Sequence, residues 1–193
     1  LIYANAAGNG YSVNHLEYYL SSLLLVSEAG DTVRSDKAFY MNARNSGNTS
    51  FSLPNIPYGN YSHLIAYIGL KPELNISHTL PATTENINMD WPESMGGGYH
   101  FMKLEGYTNA SGSQQGYAVH LGNNRSLVRC VVSTPFRVQG SDPRFTLVMN
   151  INEWYKNPAI YNFVTDGNYS MNDTTLMKKI AANGTDVFTL KTK

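Results

Sequence analysis

Residues 89–106 read MDWPESMGGGYHFMKLEG, and they combine the strongest turn signal of the chain with one of its two tryptophans. An apolar patch at 89–91 leads to a triple glycine at 96–98, and a strand-like run follows at 99–104. Because glycine has no Cβ, three in succession let the backbone turn with positive φ and pass close to a neighbour. We therefore expect a tight turn here that delivers the chain into a β-strand.

Trp91 and His100 lie on either side of this turn, which makes it the first place to look for a chemical site. The alternative is structural: a buried Trp91 that caps a sandwich core beside a tight turn. The residue types of this stretch leave both interpretations open.

The composition narrows the class of protein. A chain of 193 residues with no net charge fits one large all-β domain, or one domain with an appendage. Its 14 Tyr, 7 Phe and 2 Trp, with only 15% charged residues, argue against disorder. No basic stripe suggests a nucleic-acid partner, and no apolar run approaches the roughly 18 residues that would span a bilayer.

Cys130 is the one cysteine of the chain, so an internal disulfide and a Cys-cluster zinc site are both excluded. It lies in the strand-like run 127–132, where we expect a small buried hydrophobic residue. The sequence begins at Leu1 without a signal-peptide pattern, and we expect that an N-terminal segment has been removed. A composition rich in Asn, Ser, Thr and Tyr but poor in Lys and Glu is typical of an exported β-protein.

The pattern along the chain predicts a mainly β fold. A long irregular segment is predicted at 74–88, before the central stretch, and an Asn-Asp-Thr-Thr start with an Asn-Gly stop predicts one helix over 172–182. We expect a single β-sandwich domain with a core over about residues 10–150 and a small, mostly helical C-terminal appendage over about 151–193. The predicted strands and strand–turn–strand units are 11–26, 38–42, 51–61, 61–70, 99–104, 116–122, 126–132, 136–138, 145–151 and 187–190.

The five histidines form no local metal motif, because no two have the HxH or HxxxH spacing that aims two imidazoles from one element. His100 and His120 lie on neighbouring predicted strands that flank one loop, so the fold could bring them together. Copper and zinc accept neutral imidazole, and reduced copper also accepts methionine sulfur. Met89, Met95 and Met102 lie near the same stretch, although core packing is the simpler interpretation of all three.

Motifs of common enzyme classes are absent from the sequence. It contains no G-x-S-x-G nucleophile elbow, no phosphate-binding G-x-x-x-x-G-K-S/T loop and no dinucleotide fingerprint. The triple glycine is not followed by helical periodicity, which argues against a phosphate site at a helix N-terminus. We therefore expect a protein that is not an enzyme.

The order and spacing of several segments resemble the MbnP-like family, over roughly residues 10–150. An Asn-Gly-x-Asp-Val-Phe sequence at 183–188 also looks like a family ending. The segments that carry the resemblance are YSVNHLEYYLSSLLLV at 11–26, P-x-G-x-Y at 57–61, IGL at 68–70, MDW at 89–91, GYHFMKLEG at 98–106 and HLG at 120–122.

The resemblance implies a β-sandwich that is exported to the periplasm or the outer cell surface, often as a lipid-anchored protein in Bacteroidota-type bacteria. It implies copper as the cofactor, and a haem-type redox protein of the periplasm as a partner. In copper-binding members, two histidines and a tryptophan oxidised to kynurenine hold one copper ion.

The resemblance also implies which residues of this chain would form the site. His120 lies in the family's H-L-G motif and is the first candidate ligand, and Trp91 in the M-x-W motif is the candidate modified residue. His78 lies near the L-N-H motif of many members, two residues beyond its expected place. The hypothesis is therefore a copper site made by His120 with His78 or His100, beside Trp91.

A metal-free function is the alternative. Exposed aromatic residues such as Tyr107 and Tyr117 would serve a surface module that recognises glycan or protein, because tyrosine brings large contact area at low entropic cost.

Overall fold

The computed structural model describes residues 1–192, and within them the chain forms ten strands and two α-helices. Most of the strands join one antiparallel sheet that curls, as expected for a mainly β fold. The last residue of the predicted appendage, Lys193, lies outside the described residues. The elements are β1 (Tyr3–Ala4), β2 (Gly10–Ser27), β3 (Thr32–Asn42), β4 (Gly59–Ile68), α1 (Thr84–Asn88), β5 (His100–Thr108), β6 (Gln115–Gly122), β7 (Val128–Val132), β8 (Phe136–Val138), β9 (Phe145–Met149), α2 (Thr174–Asn183) and β10 (Phe188–Thr192).

The long strand β2 connects the two halves of the sheet. Its first half pairs with β5, its second half pairs with β3 and β4, and the strand order is β6-β5-β2-β4-β7. The register shifts next to Ser22, whose φ of 50° marks a bulge. Because a bulge bends and twists a strand, it allows β2 to serve both halves of the curled sheet.

The hairpin of β5 and β6 positions the candidate site. On β6, Tyr117, Val119 and Leu121 point into the core, so the strand's two-residue period turns His120 and Gly122 to the other face. His100 pairs with Gly122 across a register shift in β5 and therefore shares that outer face.

The C-terminal segment packs into the same core as the sheet. Trp154, Tyr155 and Tyr161 are fully buried in the main hydrophobic cluster. The helix predicted over 172–182 is α2, and β10 pairs with β9 in a second, two-stranded sheet. The C-terminal segment therefore shares one hydrophobic core with the sheet.

Three of the differences from the sequence prediction stand out. β3 begins at Thr32, six residues earlier than predicted, because pairing with β2 satisfies the backbone while its polar side chains face solvent. Residues 51–58 form no strand: Phe51 stacks on Phe39 at 4.5 Å between ring centroids, while the prolines at 54 and 57 cannot donate to a ladder. The irregular segment 74–88 contains the short helix α1.

Neither helix in the described part of the chain has the length and apolar character needed to cross a bilayer.

Candidate metal centre

The triple glycine forms the predicted turn. Gly96, Gly97 and Gly98 have φ values of 108°, 66° and 85°, a region that disfavours residues with a Cβ. The turn is closed by two backbone hydrogen bonds, one from the Trp91 N–H to the Gly98 carbonyl at 2.9 Å and one from the His100 N–H to the Met89 carbonyl at 2.6 Å. Trp91 and His100 are thereby brought side by side.

A neighbouring loop fixes this turn in place. The Tyr99 N–H donates to Asn75 Oδ1 at 2.9 Å, and the Gly98 N–H donates to Ser77 Oγ at 2.7 Å. A Cβ on Gly98 would lie 2.4 Å from Asn75 Oδ1, so only glycine fits the position.

Three buried rings form the centre of the site: Trp91, His100 and His120, with exposed fractions of 2%, 6% and 9%. The Trp91 and His100 rings are 4.7 Å apart between centroids, and the two imidazoles are 5.1 Å apart at nearly a right angle. Gly122 makes room for this arrangement, because a Cβ there would lie 2.1 Å from Cε3 of the Trp91 indole.

His100 is held as a neutral imidazole. Its Nδ1 lies 3.2 Å from the Met89 carbonyl, which can only accept, so we assign the proton to Nδ1 and a lone pair to Nε2. Burial is the main cause that lowers the pKa of His100 from 6.5 to about 3, and the nearby Lys103 ammonium acts in the same direction.

His120 is held in the opposite tautomer. Its Nε2 lies 2.7 Å from a carboxylate oxygen of Glu105, so the proton belongs on Nε2 and the lone pair on Nδ1. That Nδ1 lies 3.2 Å from the sulfur of Met171. Burial lowers the pKa of His120, although the bond to Glu105 acts in the opposite direction.

Residues 168–171 close the site on the open edge of β6. The Ala118 N–H donates to the Asn168 carbonyl at 2.8 Å, and Tyr169 makes a parallel bridge with Ala118. The buried Ser170 hydroxyl accepts from the His120 N–H at 2.7 Å and donates to the His120 carbonyl at 2.6 Å. Met171 is therefore held directly beside the His120 ring.

Of the residues predicted from sequence, the fold brings Trp91, His100 and His120 together. His78 is not one of these buried rings: it lies on an exposed loop, with a φ of 61° and a side chain that is 74% exposed. Its imidazole faces Asp90, with 3.7 Å between Nδ1 and Oδ2.

The potential metal ligands of the site are imidazole nitrogens and not several carboxylates. Residues 1–192 contain no group of three or more His, Cys, Asp or Glu side chains placed to hold a metal ion. Each imidazole instead has one nitrogen fixed by an acceptor and one with a free lone pair, which is the usual state of a histidine that binds a metal.

Two residues of the site were missed by the sequence interpretation, Glu105 and Met171. The hairpin register could have indicated Glu105, because Glu105 pairs with Ala118, two residues before His120. Met171 is 51 residues from His120 and has no local signal.

The other aromatic and methionine expectations are also settled. Met89 and Met102 are core residues and Met95 packs against the core, as the simpler interpretation expected. Tyr107 is exposed, but Tyr117 is only 3% exposed because β6 turns it inward, so its predicted surface role is wrong.

Comparison with known proteins agrees with the resemblance to the MbnP-like family and extends it over a longer part of the chain. A family model described as MbnP matches residues 2–177, which includes the segment that carries Met171. The fold is similar to the solved structure of MbnP from Methylosinus trichosporium, with 12% sequence identity, a TM-score of 0.54, and coverage of 98% of this chain and 90% of that chain. No curated protein matches the sequence. At this identity the structural likeness concerns the fold, but the family match covers nearly the whole chain, and the chain therefore belongs to the MbnP family.

Proposed function

We propose that this protein is an exported, non-catalytic copper-binding protein in which His100 and His120 hold the ion beside Trp91. The observation that supports this most directly is the pair of adjacent, buried imidazoles, each with its second nitrogen held by an acceptor. Carboxylate and carbonyl partners of this kind orient metal-binding histidines and raise their basicity.

The donors suit copper. Neutral imidazole is a good ligand for copper and zinc, whereas calcium and magnesium prefer several oxygen ligands. Burial keeps both rings neutral near pH 7, so no proton has to be displaced before metal binds. Bound copper would supply a one-electron redox couple.

Each surrounding residue has a role in this proposal. Glu105 and the Met89 carbonyl fix the two ring orientations, and Trp91 excludes water from one side of the imidazoles. Trp91 is also the candidate for oxidation to kynurenine, as the family resemblance implies. Mass spectrometry of the peptide that contains Trp91 would detect that change.

The family resemblance supports a proposal for the location and the partner. We propose that the protein acts in the periplasm or at the outer cell surface, and that a haem-type redox protein of the periplasm is its partner. Fractionation of the source cells and pull-down with the copper-loaded protein would test these two points.

Copper titration followed by metal analysis tests the site. The wild type is expected to bind about one equivalent, and His100→Ala and His120→Ala are each expected to lose it. His63→Ala serves as the control, because His63 lies on β4 and its ring contacts Ser62. His78→Ala decides whether the exposed histidine contributes, and we expect copper binding to be unchanged.

A wild type that binds no copper would overturn the proposal. The metal-free surface module would then be favoured, and exposed aromatic residues such as Tyr107 and Tyr169 would be the first to test in glycan binding.

A further inference from the structure

The contact between His120 and Met171 poses a chemical question. Nδ1 of His120 lies 3.2 Å from the Met171 sulfur, while the ring's other nitrogen lies 2.7 Å from a Glu105 carboxylate oxygen. A neutral imidazole has one N–H, and the carboxylate oxygen can only accept. With the proton on the Glu105 side, two lone pairs face each other across the gap between nitrogen and sulfur.

The opposite tautomer does not resolve the conflict. A proton on Nδ1 could donate weakly to the Met171 sulfur, but the lone pair of Nε2 would then face the Glu105 carboxylate at hydrogen-bond distance. Protonating both nitrogens would satisfy both neighbours, but the side chain is almost fully buried, which disfavours a charged ring. A cation shared by nitrogen and sulfur satisfies every group in its expected protonation state.

The Met171 sulfur is placed beside the ring by the fold. Ser170 is fully buried and bonds both backbone groups of His120, so the residue that follows it must lie next to His120. Two residues further on, Asp173 caps α2 by accepting from the Leu176 N–H at 2.8 Å. Met171 is thus fixed on both sides along the chain, and its side chain packs against the core.

We propose that Met171 is a third, thioether donor to the copper ion and makes the site prefer Cu(I) over Cu(II). This inference rests on the proposed function and names a ligand and an oxidation-state preference for that site. Thioether sulfur is a soft donor that favours reduced copper.

Competition for copper in each oxidation state tests the proposal. The Cu(I) affinity would be measured without oxygen against a chromophoric Cu(I) chelator, and the Cu(II) affinity against a Cu(II) chelator. Met171→Leu is expected to weaken Cu(I) binding about tenfold or more and to change Cu(II) binding much less. Met177→Leu is the matched control, because Met177 is a buried methionine of α2 in the same segment.

X-ray absorption at the copper edge gives a second readout, and its first measurement needs no variant. Selenomethionine-labelled wild type loaded with Cu(I) is expected to show a copper–selenium shell. Unlabelled Met171→Leu should lose the copper–sulfur shell that the wild type and Met177→Leu retain.

The outcomes separate the two proposals. A wild type that binds no copper in either oxidation state overturns the proposed function and this inference together. Two results together would overturn the role of Met171 alone. The wild type would bind copper without a sulfur or selenium shell, and Met171→Leu would bind Cu(I) as tightly as the wild type. The nitrogen–sulfur contact would then be a hydrogen bond of a protonated ring.

Discussion

The absence of a side chain at Gly122 determines where the Trp91 indole lies. An ideal Cβ at Gly122 would lie 2.1–2.4 Å from three carbons of that indole, far inside normal contact distance. The indole in turn packs against His100. The absence of a Cβ at Gly122 therefore helps to position the candidate ligands.

Gly122→Ala is expected to displace the indole and destabilise the protein by about 1–3 kcal/mol, as overpacking of a tight core does. Urea unfolding followed by tryptophan fluorescence would measure both effects. Gly116→Ala on the same strand is the control, since nothing lies within 3.9 Å of its Cβ position. Equal stability of the two variants would contradict the packing argument.

The low pKa of His100 predicts how the stability of the metal-free protein depends on pH. Folding lowers the pKa from 6.5 to about 3, so between these values the unfolded chain binds a proton that the folded chain does not. Above about pH 6.5 the proton is largely absent from His100 in both states, so the free energy of unfolding has its full value. On going to pH 5 the unfolded chain takes up the proton, and the free energy of unfolding falls by up to about 2 kcal/mol.

Urea unfolding with a chelator present, at a series of pH values, measures this slope. His100→Phe removes the titrating group, and its stability should fall less steeply over the same range. Parallel curves for the wild type and the variant would show that His100 is not the group responsible.

The sequence predicts those residues of the candidate site that lie near the glycine turn or on the following hairpin. Turn and strand patterns, which are local signals, indicate Trp91 and His100 and place His120 on the neighbouring strand, and the family resemblance names His120 and Trp91 as site residues. Met171 was missed because its position depends on how a distant segment docks against β6, which no local pattern encodes.

The helix α2 shows how a short polar sequence determines where an element begins. The Asp173 side chain accepts from the Leu176 N–H at 2.8 Å, which satisfies one of the free donors in the first turn. This helix was predictable for that reason, whereas residues 51–58 resembled a strand and are not one, because two prolines interrupt backbone pairing.

Asp173→Ala is expected to cost about 1 kcal/mol, because the cap is lost. Asp173→Asn keeps an oxygen acceptor at the same place and should remain close to the wild type. Thermal or chemical unfolding of both variants makes the comparison. A loss as large in Asp173→Asn as in Asp173→Ala would mean that the negative charge matters rather than the hydrogen bond.

In the C-terminal part of the molecule, the Asn183 side chain links helix α2 by hydrogen bonds to the segment around Trp154. Asn183 is fully buried, its amide donates to the carbonyls of Trp154 at 2.9 Å and Ala159 at 2.8 Å, and its oxygen accepts from the Ala159 N–H at 3.0 Å. These bonds hold the predicted C-terminal appendage together internally, while buried rings such as Trp154 pack it into the main core. The sequence pattern could not indicate either set of contacts.

Asn183→Asp keeps the shape but removes both donors and places a carboxylate against two carbonyls. We expect a loss of about 3 kcal/mol or more in the free energy of unfolding. Lys178→Ala, an exposed change on the same helix, should stay within about 0.5 kcal/mol of the wild type. Near-equal stability of these two variants would show that the helix is not anchored through Asn183.

The segment 168–171 has a consequence beyond the placement of Met171. β6 is the last strand on its side of the sheet, and its outward amides and carbonyls would otherwise be available to a strand of another molecule. The Ala118 N–H donates to the Asn168 carbonyl, and the Ala118 carbonyl accepts from the Ser170 N–H. The chain's own segment therefore uses the backbone groups with which another strand could pair. Losing this short cover would turn the edge of the sheet into a template for edge-to-edge association and aggregation.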